Sequence, residues 1–449
     1  MDNATAAGKP ALNSLYDLVT GDEDARVCKD IPAASCHDQP RNFFAYLGAN
    51  LLTKVADELA SAKLILPWLM GFLGAPAALV GLLVPIREAG VLVPQLAVAA
   101  YIRRMPMRKG VWLLGALLSA AALAAMALVA GTLTGAAAGS AIVGLLVVFS
   151  LARGLCSVSA KDVLGKTVSK ARRGNLMGLA AGIAGALTLA LGLYFSVVAG
   201  GSTGAGVFVA LLGGAAVLFV IAAAIFRLIR EQPGATEGGG NALETAIESI
   251  GLLRTDRLFR HFVLARVALL SVALAPPFYV LLAQQAGGSD IGDLGALIIA
   301  SGLASSISAP VWGRLSDRSS RLVMVLSAVL AGMLGLTTWG LVQLDAGLLA
   351  HGLTFAVLYL LLGIAHAGVR LGRKVYLVDM ATSDTRAAMV AVSNTIIGIA
   401  MLAGGAVGLL GDLYGAAAVI LLLGFAAIGA GLYALTLREV SDPVVAGGA

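Results

Sequence analysis

Apolar runs about as long as a lipid bilayer is thick recur along most of the chain, separated by short polar stretches. A sliding window of about 19 residues divides them into twelve segments: 43–71, 76–101, 111–131, 138–158, 175–198, 205–226, 260–284, 291–312, 322–342, 350–369, 388–410 and 414–436. Hydrocarbon offers no partner to a bare peptide group, so a crossing segment must be a helix or part of a closed barrel. Barrel strands would appear as alternating segments of about 10 residues, whereas these runs are far longer and rich in Leu, Ala and Gly. The pattern predicts an all-α integral membrane protein with twelve transmembrane helices.

Charge is sparse and ordered. Only 12% of the 449 residues are Asp, Glu, Lys or Arg, about half the share of a soluble domain. The basic residues fall in alternate loops: Arg103, Arg104, Arg108 and Lys109, then 161–173, 227–260, Arg314, Arg318 and Arg321, and finally Arg373, Lys374 and Arg386. The intervening short loops carry only Asp290, Asp293, Asp345, Asp412 and His351. This asymmetry predicts a multi-pass inner (cytoplasmic) membrane protein with both termini cytoplasmic. It also accounts for the net charge of +6, so nucleic acid is not an expected partner. Cys28, Cys36 and Cys156 form no CxxC pair and no even framework, which supports neither a disulfide scaffold nor a metal site. AKDVLGKT at 160–167 satisfies a relaxed phosphate-loop pattern but lacks the leading Gly and the preceding strand.

The chain divides into a polar, acidic cytoplasmic tail at 1–41, expected to be mostly disordered, a first six-helix bundle at 42–228, a central cytoplasmic loop at 229–258, a second bundle at 259–437 and a tail at 438–449. In the central loop Asn241 and Glu244 make a capping-box pattern, predicting a short amphipathic helix at the interface. The halves overlay at a shift of 212 or 213 positions: YIRRMPMRK at 101–109 falls on GRLSDRSSR at 313–321, and Gly185 and Gly192 fall on Gly398 and Gly405. Two pseudo-symmetric six-helix bundles point to a transporter rather than a channel or an enzyme.

Those residues carry a resemblance. The loop Gly313, Arg314, Asp317, Arg318, Arg321 after the eighth segment resembles the hallmark cytoplasmic loop of the major facilitator superfamily. The likeness extends from about Asn42 to Leu437. It implies a gate in which Asp317 caps a helix end or pairs with a neighbouring Arg. The first copy of the loop departs from the family by having Met105 where Asp is expected. Arg153 in LARGLCSVSA is similar to an antiporter-type Arg motif, and the glycine face of the fifth segment is similar to an antiporter helix, although the Pro of that helix is missing and Ser157 replaces a Gly.

The resemblance further implies that segments one, four, seven and ten line a central cavity, and intramembrane charges occur on those segments. They are Lys54, Asp57, Glu58 and Lys63 on the first, Arg153 on the fourth, Arg266 on the seventh, and His366 and Arg370 on the tenth, with Arg87 and Glu88 on the second. A charge at mid-bilayer costs at least about 2.5–3.5 kcal/mol, so such residues pair with one another or mark a substrate or proton path. Lys54 shares a helical face with Asp57 and Glu58, and Arg87 with Glu88 can close a network with them. Either a self-neutralised scaffold or a proton site fits this pattern, with Asp57 and Glu58 the leading carboxylates. His366 adds a group whose reference pKa suits proton transfer.

The expected function is secondary active transport of a small solute, anionic or amphipathic, and the surplus of cations over acids in the core motivates an anionic or zwitterionic one. The solute moves by alternating access, with protons as the expected energy source and no cofactor expected. Export is favoured over uptake, and the partners expected are the solute and the bilayer, for a monomer. A non-transporting assembly factor or sensor of the same fold, and a lipid flippase, are the alternatives.

Overall fold

The computed structural model describes residues 11–20, 31, 33–93, 98, 101–102, 104–198, 204–234, 251–287, 290–344, 347–350, 352–382 and 385–440. The described residues fold as helices arranged for a membrane. Nine helical stretches among them are long and apolar enough to cross one: Lys109–Thr132, Gly135–Thr167, Lys170–Val198, Ala205–Arg227, Arg257–Gly287, Ile291–Ser316, Ser320–Gln343, Leu353–Met380 and Val407–Leu435.

The first, second and eleventh predicted segments are absent from that set because they are broken or short. The first segment is α3 (Gln39–Leu59) followed, after a turn at 60–64, by α4 (Ile65–Phe72). Pro67 explains the break. It has no N–H for the carbonyl four residues back, and its ring clashes with that carbonyl, which belongs to Lys63. The second segment is α5 (Ala77–Gly81) and α6 (Leu83–Leu92), with Pro85 near the junction. The eleventh is α18 (Arg386–Gly404), continued past Gly405 and Ala406 into the start of α19 (Val407–Leu435). Inside α19 the backbone reverses at Gly415, whose φ of 82° is a conformation that favours glycine. The predicted boundary between the last two segments falls at this point.

The other helices are α7 (Lys109–Thr132), α8 (Gly135–Thr167), α9 (Lys170–Leu193) with a π-turn at Tyr194–Val198, and α10 (Ala205–Arg227) in the first half. The second half opens with α11 (Leu252–Thr255) and α12 (Arg257–Ala268), then α13 (Leu270–Leu274) and α14 (Pro276–Gly287). It continues with α15 (Ile291–Ser316), α16 (Ser320–Gln343) and α17 (Gly352–Met380). The α13 to α14 break sits at Pro276 and Pro277.

Two expectations for the termini and loops change. The amino-terminal tail contains α1 (Ala11–Thr20) and α2 (Ala33–His37). Tyr16 of α1 is buried, meets Phe43 edge-on with ring centres 5.3 Å apart and accepts a 2.6 Å hydrogen bond from Gln39 Nε2, so part of a tail expected to be disordered docks on the bundle. Cys36 is disulfide-bonded, which the cysteine count did not suggest. The capping-box helix expected around Asn241 lies outside the described residues.

The two halves meet closely away from the basic loops. A Cβ on Gly81 would lie 2.6 Å from Gly408 Cα, one on Gly295 would lie 2.5 Å from Ser196 N, and one on Gly192 would lie 3.1 Å from Ile299 N. Small residues at these points let helix backbones approach where lipid gives no hydrophobic drive to associate. Asp412 adds a polar clasp: its carboxylate accepts from Ala77 N at 2.5 Å and Ala78 N at 3.2 Å, the free amides at the start of α5.

Candidate functional site

Between the halves lies a cavity of about 420 Å³ lined by Asp57, Glu58, Lys63, Arg87, Glu88, His366 and Arg370, with Val91, Leu92, Pro276 and Leu362 as apolar wall. Its volume is that of a small-molecule site. Asp57, in the last turn of α3, is held from two sides. Arg87 of α6 donates to one carboxylate oxygen at 3.2 Å, and Arg153 of α8 donates to the other at 2.7 Å. Each guanidinium also lies over an aromatic ring, Arg87 over Phe149 and Arg153 over Phe219, both at 5.2 Å. Those rings help offset the loss of water around the cations.

The break in the first segment builds the next layer. Lys63 sits in the turn, with its ammonium 3.5 Å from Glu88 and 3.1 Å from His366 Nε2. Because an ammonium has no acceptor, the imidazole Nε2 accepts and the ring proton resides on Nδ1. His366 also lies close to the backbone of Val272, whose carbonyl is the one Pro276 leaves without a helical donor. Tyr359, two turns earlier on α17, donates to the Lys63 carbonyl at 3.0 Å, the carbonyl Pro67 leaves bare. One helix of the second half thus donates to a proline-freed carbonyl of the first half.

Several sequence expectations are redistributed. Lys54, expected to pair with Asp57, lines no described cavity, and Asp57 turns instead to arginines from two other helices. Arg153 reaches the site through Asp57 and lines a neighbouring pocket with Tyr46, Asn50, Trp112 and Lys161. Arg266, expected on the pathway, is not among the residues lining the cavity: it donates to Ser393 Oγ at 2.6 Å and to Asn394 Oδ1 at 3.3 Å, beside Phe262.

The gate loop is also organised differently from the expectation. Gly313, Arg314, Asp317 and Arg318 make no side-chain ion pair among the described residues, and Asp317 is exposed at the carboxyl end of α15, where the helix dipole does not favour a carboxylate. Ser319 caps α16 instead, accepting from Leu322 N at 3.0 Å. Arg321 is 3.4 Å from Glu439, which also accepts from Ser319 Oγ at 2.5 Å. The first half has a matching arrangement. Glu231 accepts from Arg108 N at 2.9 Å, Lys109 N at 2.8 Å and Lys166 Nζ at 3.2 Å at the start of α7, while Arg108 and Lys166 both bind Asp162. Glu231 and Glu439 were not among the expected residues. The signal for them is the repeated Arg-Glu pair, Arg230-Glu231 and Arg438-Glu439, just beyond the last helix of each half.

Residues 262–448 match the family model of the Major Facilitator Superfamily. Solved transporters share the fold over nearly all of both chains. The xylose transporter XylE from E. coli, in an inward-open conformation, superposes with a TM-score of 0.62 at 12% identity, covering 89% of this chain and 96% of its own. The nucleoside transporter NupG gives 0.65 at 12% identity over 88% and 98%. A POT family transporter in complex with 5-aminolevulinic acid gives 0.69 at 13% identity over 91% and 98%. No curated protein matches by sequence. The chain is a multi-pass membrane protein with the fold of these transporters, and the family model that matches residues 262–448 includes the eighth-to-ninth loop from which the resemblance is read.

Proposed function

We propose that this protein is a secondary active transporter with twelve membrane crossings, moving a small solute through the cavity by alternating access and driven by protons. The observation that carries this reading is Asp57, a mid-membrane carboxylate at the junction of three helices and held by two arginines at the edge of a solute-sized cavity. A carboxylate so placed changes its pairing when helices move, and a proton or solute that binds one arrangement better than the other shifts the equilibrium between them. The named contacts between the halves lie at cavity level or away from the basic loops, which supports a state open toward the basic face. With that face cytoplasmic, the state is inward-open. The solute carries at least one anionic group, given the arginines around the cavity, and export is the direction this reading assigns. The names of the fold neighbours span a xylose transporter, a nucleoside transporter and a POT family transporter, so they favour no single substrate.

The test is solute-dependent proton movement in proteoliposomes holding the purified protein, read with an internal pH dye across a panel of small anions, zwitterions and amphiphiles. Proton movement that depends on solute and is lost in Asp57→Asn supports the reading. Silence across the panel supports the alternative of an assembly factor or sensor, and movement of labelled lipid between leaflets supports a flippase.

A further inference from the structure

The charged groups of the cavity divide into those already paired and those that are not. Asp57 is taken by Arg87 and Arg153, and Glu88 by Lys63, which also meets His366. Glu58 and Arg370 line the same cavity and, among the described residues, make no side-chain hydrogen bond or ion pair. Both are exposed to it. They belong to opposite halves, Glu58 to the end of α3 and Arg370 to α17. Arg370 lies within electrostatic range of Glu58, as do Asp57, Lys54 and Lys63, yet no contact closes the gap. Arg373, one turn further along α17, adds positive charge on the Arg370 side.

An unpaired charge at mid-membrane is costly and is found where a ligand or water path exists. Here one carboxylate and one guanidinium face one space from its two sides. A solute with a single charge would satisfy one of them and leave the other bare, and sites built around polar groups discriminate strongly against ligands that leave one unpaired. A solute with an ammonium at one end and a carboxylate at the other satisfies both, and the wall of Val91, Leu92, Pro276 and Leu362 accommodates the hydrocarbon between.

We propose that the cavity binds a small zwitterion across the two halves, its ammonium on Glu58 and its carboxylate on Arg370. This rests on the transport reading for its physiological meaning but is tested by binding alone. The probes are 4-aminobutyrate and 6-aminohexanoate, each compared with the carboxylate and the amine of the same chain length. The purified full-length chain is titrated with each, and ligand-dependent thermal stabilisation is read, since a ligand that binds the folded state raises its melting temperature.

The expected result is that at least one zwitterion binds roughly tenfold or more tighter than both of its singly charged counterparts. Glu58→Gln then lowers its affinity to that of the carboxylate without changing carboxylate binding, and Arg370→Gln lowers it to that of the amine. Glu58→Asp, which keeps the charge, retains the preference. A carboxylate or amine that binds as tightly as the zwitterion, stabilisation by none of the probes, or a preference untouched by both Gln variants overturns the assignment. The two readings fail separately. Zwitterion binding without flux in proteoliposomes supports this site and defeats transport, whereas proton-coupled flux of a singly charged solute without zwitterion preference supports transport and defeats this site.

Discussion

The hydroxyl of Tyr359 donates at 3.0 Å to the carbonyl of Lys63, the carbonyl that Pro67 leaves without its helical donor. The bond joins the two halves of the molecule and is a consequence of one proline. Tyr359→Phe removes a partly buried hydrogen bond and should cost about 1 kcal/mol. Pro67→Ala restores an N–H that can serve Lys63 from within the helix, so in that background Tyr359→Phe should cost much less. A double-mutant cycle on thermal stability measures the difference, and equal costs in both backgrounds would contradict the explanation of the break.

Asp57 gives a second prediction. Asp57→Asn leaves Arg87 and Arg153 without their shared counter-charge, and breaking a buried pair on one side costs roughly 3–5 kcal/mol. The Asp57 side chain is 24% exposed, so the lower end of that range is expected. Adding Arg153→Met to Asp57→Asn should recover part of the loss, because it removes one of the two stranded cations and keeps the stem against Phe219. If the double variant is less stable than Asp57→Asn alone, Arg153 is held by something other than Asp57.

The sequence made the helices and the charged segments legible, because hydropathy and the positive loops follow from the bilayer itself. Asp57, Glu58, Arg87, Glu88, His366 and Arg370 were placed on segments that do surround one cavity. Their pairing was not legible. Helical spacing offered Lys54 to Asp57, but Arg87 and Arg153 are 30 and 96 positions away, and packing brings them closer than the turn below does. The break after Leu59 had a local signal in Pro67, whereas the departure of Arg266 toward Ser393 depends on helix rotation, which hydropathy does not encode.

The close approach of Gly81 to Gly408 yields a third prediction. Gly81→Ala places a methyl 2.6 Å from Gly408 Cα, so α5 and α19 must separate. Asp412→Asn weakens the same closure by removing the charge at the start of α5, where a carboxylate contributes about 0.3–1 kcal/mol. Both variants should raise the alkylation rate of a reporter in Leu274→Cys, a buried position beside Gly404. Unchanged alkylation in Gly81→Ala would mean that the contact does not hold this face shut.

On the basic face, Glu231 should matter more for stability than Asp317. Its side chain is fully buried beside Lys166 and serves two amides at the start of α7, so Glu231→Gln should cost about 1–3 kcal/mol. Asp317→Asn, at an exposed position, should change the melting temperature little. Comparable losses in the two variants would contradict this division of roles.

Alternating access itself is tested most directly by paired spin-label distances in the reconstituted protein. One pair, at Gly74 and Leu413, reports on the closed face; the other, at Ala171 and Arg314, reports on the basic ends of α9 and α15, whose opposite ends meet at Gly192 and Ile299. The account predicts that acidification, or a bound solute, lengthens one distance while shortening the other, and that Asp57→Asn abolishes the response to acid. Distances that stay fixed in both pairs under every condition, or that lengthen together, would contradict it.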